Sequence, residues 1–385
     1  MRHSIYTIAI LFLSFLLVGS ATFIVSPLLP AIMASLHRSE AGGGLLVSTY
    51  AACYVIFIFI LVPISDRVSR KLLLVTGMIV FAVGLLFCGL AGTFMALLFA
   101  RAVAGAGAAI ISPSIWAYIG DAFSPERRSR VTALVASALS IGLIFGVPAG
   151  SALSAVFGWR LCFISMGTCT CLLAACLAFL PQVMPIQHTA QAGRWRALFK
   201  TNDDVCYAIS FLSNFSLFGL YTFLGVALQH LEHLSAAQTG GVFMLAGCGN
   251  LAGVLLVGSF REQHLFRKRL VYVASTLCLA FLATALTVHI LPLLIAATVG
   301  WMAAGGALFA MTQTLVTQLE CQHRGAVVAI NNGAMWAGTA SGAALIGALA
   351  SEWGLAGAAV LCGCLALVIM LLARRLRFVQ PASNN

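Results

Sequence analysis

Long apolar runs separated by short polar breaks dominate the chain. Twelve runs stand out, over 5–29, 44–64, 72–91, 94–119, 131–157, 160–180, 205–229, 239–259, 271–289, 291–317, 326–350 and 354–373. A membrane helix needs about 20 apolar residues, because a hydrocarbon core of about 30 Å is crossed at about 1.5 Å per residue. None of the runs alternates apolar and polar positions with the period of two that a barrel strand requires. The pattern therefore predicts twelve transmembrane helices, which satisfy their own backbone polar groups in lipid. The first run is too long for a signal-peptide core. No small-x-small site is followed by a soluble domain, so this run reads as a retained helix.

The longest polar segment, 181–204, divides the runs six and six. The expected organisation is an N-terminal six-helix bundle over 1–183, a cytoplasmic linker over 184–204 and a C-terminal six-helix bundle over 205–385. The halves repeat at a constant offset of 196: Asp66 meets Glu262, Arg128 meets Arg324, Gly142 meets Gly338, Gly146 meets Gly342, and Gly158 meets Gly354. Six is even, so both halves cross the membrane in the same sense. That arrangement describes parallel repeats about an axis along the membrane normal, with a site at their interface.

Composition narrows the class further. Hydrophobic residues make up 61% of the chain and charged residues 8%, against about 25% charged in an average soluble domain. A soluble fold lacks the polar surface to cover so much apolar side chain, and disorder is excluded by the same numbers. A net charge of +11 would suggest nucleic acid in a soluble protein. Here eighteen of the 21 Lys and Arg fall on one side once the N-terminus is placed in the cytoplasm. The positive-inside rule then puts both termini in the cytoplasm and accounts for the charge without nucleic acid. The twelve cysteines mostly lie within apolar runs, contain no C-x-x-C pair, and read as small packing residues rather than a disulfide set.

Several short motifs carry candidate chemistry. The connection after the second run reads Val62-Pro-Ile-Ser-Asp66-Arg67-Val-Ser-Arg70-Lys71-Leu-Leu-Leu74. It is similar to the G-x-L-A-D-R-x-G-R-K-x-x-L loop of the major facilitator superfamily, with Val62 and Ser69 standing where the family has glycine. The fourth run contains Arg101-Ala-Val-Ala-Gly105-Ala-Gly107-Ala108-Ala109, which resembles the family's R-x-x-x-G-x-G-A-A segment. The fifth contains Gly142-Leu-Ile-Phe-Gly146-Val147-Pro148-Ala-Gly150. It resembles the g-x-x-x-G-P-x-x-G-G antiporter signature of drug:proton exporters, with Val147 inserted before the proline. A Gly158-Trp159-Arg160-Leu-Cys-Phe163 turn follows, as in the same exporters. Ser124-Pro125 offers N-cap chemistry at the start of the fifth run.

The resemblance implies a major facilitator fold: all-α, twelve transmembrane helices in two pseudo-symmetric bundles. It implies a gating latch of Asp66, Arg67, Arg70, Lys71 and Asp121, in which Asp66 meets a helix N-terminus of the other half and Arg70 meets Asp121. An anion at a helix N-terminus is favoured by about 0.3–1 kcal/mol, a scale suited to a latch that opens each cycle. It also implies a path lined by the first, fourth, seventh and tenth helices. The candidates there are Thr22, Arg101, Ser112, Asn214, Tyr221 and Gln313. Read by themselves, Gly142, Gly146, Pro148 and Gly150 form a close helix-packing face with a kink.

Arg101 stands about seven residues, on the order of 10 Å, from the outer edge of its helix. It either snorkels outward or occupies the path, where the small residues Gly105, Ala108 and Ser112 leave room beside it. All ten acids map to connections or helix ends. A cationic drug, or a proton carried at depth, would want a buried carboxylate. Asp66, Asp121 or an external histidine such as His230 or His233 are substitutes for carrying a proton; as a metal pair, the His230-Leu-Glu232-His233 stretch reads as a solvated face.

The expected function is export of a small amphipathic compound (a drug, sugar or metabolite) by proton antiport. The alternatives are a uniporter or importer of a small neutral or anionic solute, or a transport-inactive membrane sensor. The expected setting is a bacterial inner membrane. The expected partners are a small-molecule substrate, protons and the lipid bilayer, with the chain acting as a monomer. No enzymatic activity, cofactor, metal or nucleic acid is expected.

Overall fold

A computed structural model describes residues 2–65, 68–183, 201–231, 233–258, 265–319 and 324–376. Twelve helices are long and apolar enough to cross a membrane. Spans 1 to 6 are Ile5–Phe23, Gly44–Leu61, Arg70–Leu90, Phe94–Ala122, Arg130–Phe157 and Trp159–Leu177. Spans 7 to 12 are Asp204–His230, Ala236–Val257, Phe266–Leu286, Leu291–Val316, Ile330–Ala350 and Glu352–Arg375. Large apolar side chains in the middle of spans, such as Ile79, Leu172 and Leu279, lie exposed on the flanks, as a surface solvated by lipid requires.

Proline and glycine decide where these helices depart from the expected runs. The first run breaks at Ile24, and a second helix, Val25–Ser35, continues it. Pro27 has no N–H to offer the Phe23 carbonyl, and its ring crowds that oxygen. In span 5 the kink expected at Pro148 takes the form of a widened, π-helical turn over Gly142–Gly146. The turn contains Ile144, the residue whose carbonyl the Pro148 ring would otherwise strike. Spans 11 and 12 run on as Arg324–Arg375, broken at Gly354.

Helix starts are set by local capping. Ser69, at a family glycine position, has extended backbone and accepts a hydrogen bond from the Leu72 N–H (3.3 Å). Thr93 does the same for Ala96 (3.2 Å). Ser124 departs from the expected cap: its side chain makes no capping bond. Pro125 at the first helical position presets the turn, and the Ser124 carbonyl accepts from the Arg127 and Arg128 N–H groups.

The repeat seen in the sequence is a repeat in space. Span 1 pairs with 5, span 2 with 4, and span 3 with 4 and 6; span 7 pairs with 11, span 8 with 10, and span 9 with 10 and 12. The matched glycines carry matched jobs. Gly142 and Gly146 sit against Leu16 and Ser20 of span 1, where a Cβ would strike the Leu16 carbonyl and the Ser20 side chain. Gly338 and Gly342 sit likewise against the Phe211 and Phe215 carbonyls of span 7. Gly158 (φ 83°) and Gly354 (φ 68°) both turn the chain through backbone that a side chain resists.

Two bundles result, and they meet through spans 2 and 11, through spans 5 and 8, and through Val25–Ser35 against span 7. Among the described residues, hydrogen bonds between the bundles cluster at the end away from the chain termini. Ser26 Oγ donates to the Tyr221 carbonyl, Gln229 Nε2 to the Pro27 carbonyl (2.9 Å) and Ser48 Oγ to the Ala340 carbonyl (2.6 Å). The stretch expected as a linker lies mostly outside the described residues, which resume with helix at Thr201.

Candidate functional site

The path expected between the bundles is flanked by two unlike sets of side chains. On the N-terminal side is Arg101, 1% exposed. Span 4 is long enough to hold it well inside, and its guanidinium turns toward spans 1 and 2 instead of the membrane edge. Nε donates to the Leu46 carbonyl (3.1 Å) and Nη1 to the Ala21 carbonyl (3.3 Å). The guanidinium carbon lies 4.4 Å from the centre of the Tyr50 ring, a cation–π contact. Nη2 is buried without a partner. Snorkelling is therefore excluded in this conformation. The room expected beside Gly105 is taken by span 2, because a Cβ there would meet the Tyr50 carbonyl.

Around Arg101 the polar groups are neutral. Thr22 Oγ1 bonds its own helix at the Val18 carbonyl (2.8 Å) and stands 3.2 Å from the Tyr50 hydroxyl. Ser112 is buried. Tyr54 stacks on Trp336 of span 11 with ring centres 4.3 Å apart, and Tyr50 lies 5.9 Å from the same indole. A cation, two phenols and an indole thus bridge the bundles.

The C-terminal side is built from amides. Ser210 Oγ donates to Asn331 Oδ1 (2.7 Å), and both are buried. Asn214 turns back on its own helix, donating to the Ser210 carbonyl (2.8 Å). Gln313 reaches Asn332 Oδ1 at 3.4 Å and the Met335 sulfur at 3.5 Å, long contacts that hold it loosely. Tyr221 lies in the seam between the bundles. Its hydroxyl points at the Phe23 carbonyl freed by Pro27 (3.5 Å), and its ring packs on Phe23 and Phe243.

At the end nearer the termini, Arg70 Nε donates to Asp121 Oδ2 at 2.8 Å, with the two side chains 9% and 13% exposed. The Arg70 N–H also bonds the Val183 carbonyl (3.0 Å). The Tyr118 hydroxyl donates to the Pro181 carbonyl (3.2 Å). Span 3, the end of span 4 and the strip leaving span 6 are thereby tied together. Lys71 is partly exposed on the first turn of span 3. Asp66 and Arg67 lie outside the described residues, so the expected reach of this latch to the other bundle has no geometry here.

The Gly142–Gly150 face packs on span 1, with Gly150 against Ile24. The turn after it is a staple. Trp159 Nε1 donates to Ser35 Oγ (2.8 Å), while Arg160 donates to the Ala91 carbonyl at the end of span 3 (3.2 Å) and covers the Trp159 ring. Tyr50, Tyr54 and Trp336 carry no polarity signal that singles them out in an apolar sequence, and Ser210 and Asn331, polar residues within apolar runs, carry none that pairs them. Only their meeting across helices does so.

The family model of the Major Facilitator Superfamily matches residues 11–288 and 263–385. An uncharacterized MFS-type transporter of Bacillus subtilis, YceJ, is 30% identical over 340 residues, 86% of each chain. Multidrug resistance protein 1 of the same organism is 29% identical over 308 residues, 75% of each. Among solved structures, a bacterial homolog of the human lysosomal transporter Spinster, inward-facing and unoccupied, superposes with a TM-score of 0.78 at 18% identity and 97% coverage of both chains. The human organic anion transporter MFSD10 superposes at 0.74 with 17% identity, covering 96% of this chain and 99% of that one.

Proposed function

The chain belongs to the major facilitator superfamily, and on that premise we propose that it carries a small neutral or anionic organic solute by alternating access of its two bundles. Secondary transport as such follows from family and fold. The observation that carries the substrate class is Arg101. It is a charge buried within the spans, and all ten acids fall in connections or at span ends. A cationic cargo would enter a positive field with no carboxylate at depth to receive it. A neutral or anionic cargo meets no such barrier, and the amides of Asn214, Gln313 and Asn332 offer it uncharged hydrogen bonds.

In this proposal both termini are cytoplasmic, by the bias of Lys and Arg, and the membrane is a bacterial inner membrane. The hydrogen-bonded end is then external, and the conformation faces inward. Residues 1–183 and 205–385 are the moving bundles, 184–204 links them, and one chain suffices. Thr22, Arg101, Ser112, Asn214, Tyr221 and Gln313 flank the path. The connection bearing Asp66, Arg67, Arg70 and Lys71, with Asp121, acts as the inner latch.

A second reading is proton-driven export of an amphipathic drug. It is supported by the Gly142–Gly150 segment with its π-helical turn and by the likeness to Multidrug resistance protein 1. Flux into and out of proteoliposomes separates the two, using a panel of neutral, anionic and cationic amphiphiles with and without an imposed pH gradient. We expect neutral or anionic compounds to move. Transport confined to cationic dyes, and only with the gradient, would overturn the first reading in favour of the second.

A further inference from the structure

One ion pair joins the two bundles among the described residues. His230 Nε2 lies 2.9 Å from Glu40 Oε1, across 190 positions of sequence. His230 ends span 7, and Glu40 opens the short 3-10 turn Glu40–Gly43 ahead of span 2. The pair spans the seam at the end away from the termini, beside the Gln229–Pro27 hydrogen bond between the bundles. Both residues line a cleft shared with Phe223, Ala227 and Leu355.

We propose that His230 and Glu40 form an external proton site that biases the carrier toward its outward-closed state. The proposal rests on the alternating-access reading and on the orientation given above. A protonated imidazole against a carboxylate is a hydrogen-bonded ion pair, whereas a neutral imidazole leaves one hydrogen bond without the charge. The imidazole side chain changes charge between about pH 5 and pH 8. Acid outside therefore adds attraction across the seam, and the attraction is lost as external pH rises. Opening the seam separates the partners, so the proton binds more tightly when the outer side is closed. By linkage, that proton favours closure.

Other titratable groups stand on the elements that meet there. His37 and Arg38 precede Glu40 on its own connection, His233 follows span 7, and Glu352 begins span 12. Glu232 lies outside the described residues. None of the described ones forms an ion pair with His230 or Glu40. His230 and Glu40 side chains are 61% and 31% exposed, so water screens the pair, and the effect on the conformational equilibrium is about two- to five-fold.

The test uses the full chain in lipid nanodiscs with Leu231, which also lines the cleft, replaced by trifluoromethyl-phenylalanine. Fluorine NMR then counts closed and open outer ends from about pH 8 to about pH 5. We expect the closed-to-open ratio to rise two- to five-fold on acidification. His230→Gln and Glu40→Gln should each abolish the step, His233→Gln should keep it, and His230→Lys should favour closure at every pH. Two populations with no pH step, or a step that survives His230→Gln, would overturn the proton site and leave alternating access standing. A single population at every pH, in wild type and in His230→Gln, would overturn both.

Discussion

Replacing Arg101 by Met probes the most unusual side chain in the molecule. The guanidinium makes two charge-assisted hydrogen bonds, at 3.1 and 3.3 Å, and a cation–π contact at 4.4 Å. Both hydrogen bonds are long, so about 1.5 kcal/mol each is appropriate, with about 1 kcal/mol for the ring contact. The favourable side totals about 4 kcal/mol. Opposing it are about 3 kcal/mol for placing the charge within a span and about 1 kcal/mol for Nη2, buried with no partner. The two sides cancel. Met occupies similar volume, needs no partner, and leaves the Leu46 and Ala21 carbonyls within helices. We expect Arg101→Met to change the free energy of unfolding, measured by SDS titration in mixed micelles, by less than about 1 kcal/mol. Solute flux should nevertheless fall by more than about tenfold if Arg101 selects cargo as proposed, because the charge that also joins spans 1, 2 and 4 is gone. A loss of stability above about 3 kcal/mol would refute the balance and make Arg101 a structural keystone. Wild-type flux would refute its place in the path.

Three further outcomes follow from the geometry. Gly146→Ala should destabilise the N-terminal bundle by about 1–3 kcal/mol, since its methyl meets Ser20 Oγ; Ser20→Gly should recover much of this in the same unfolding assay. Gly158→Ala and Gly354→Ala should each cost about 1–3 kcal/mol by thermal unfolding. Nothing lies near either Cβ position, so the cost is purely conformational and should match between the halves. Asp121→Asn removes the charge opposite Arg70; we expect normal insertion with turnover lowered several-fold, read by flux against protein quantified in the membrane.

Much of the fold was legible because the bilayer imposes a length on every apolar run. The twelve spans, the two bundles and the offset of 196 could all be read from residue type and spacing. The family resemblance named the Arg70–Asp121 pair, which the structure then closed at 2.8 Å. Ser69 reads as the loss of a glycine, yet it caps span 3. Ser124 reads as a cap, yet its side chain leaves that task to Pro125. Whether a hydroxyl caps depends on its rotamer and on the turn around it.

The sequence by itself determined that this chain crosses a membrane twelve times in two repeated sets, with Arg101 inside and every acid outside or at an edge. Those properties are additive along the chain. The tertiary structure decided where Arg101 points, which tyrosines and which tryptophan bridge the bundles, and at which end the described hydrogen bonds between the bundles cluster. These depend on residues 50, 190 or more positions apart meeting across helices. In an apolar chain, the residues that meet carry no local mark distinguishing them from those that face lipid.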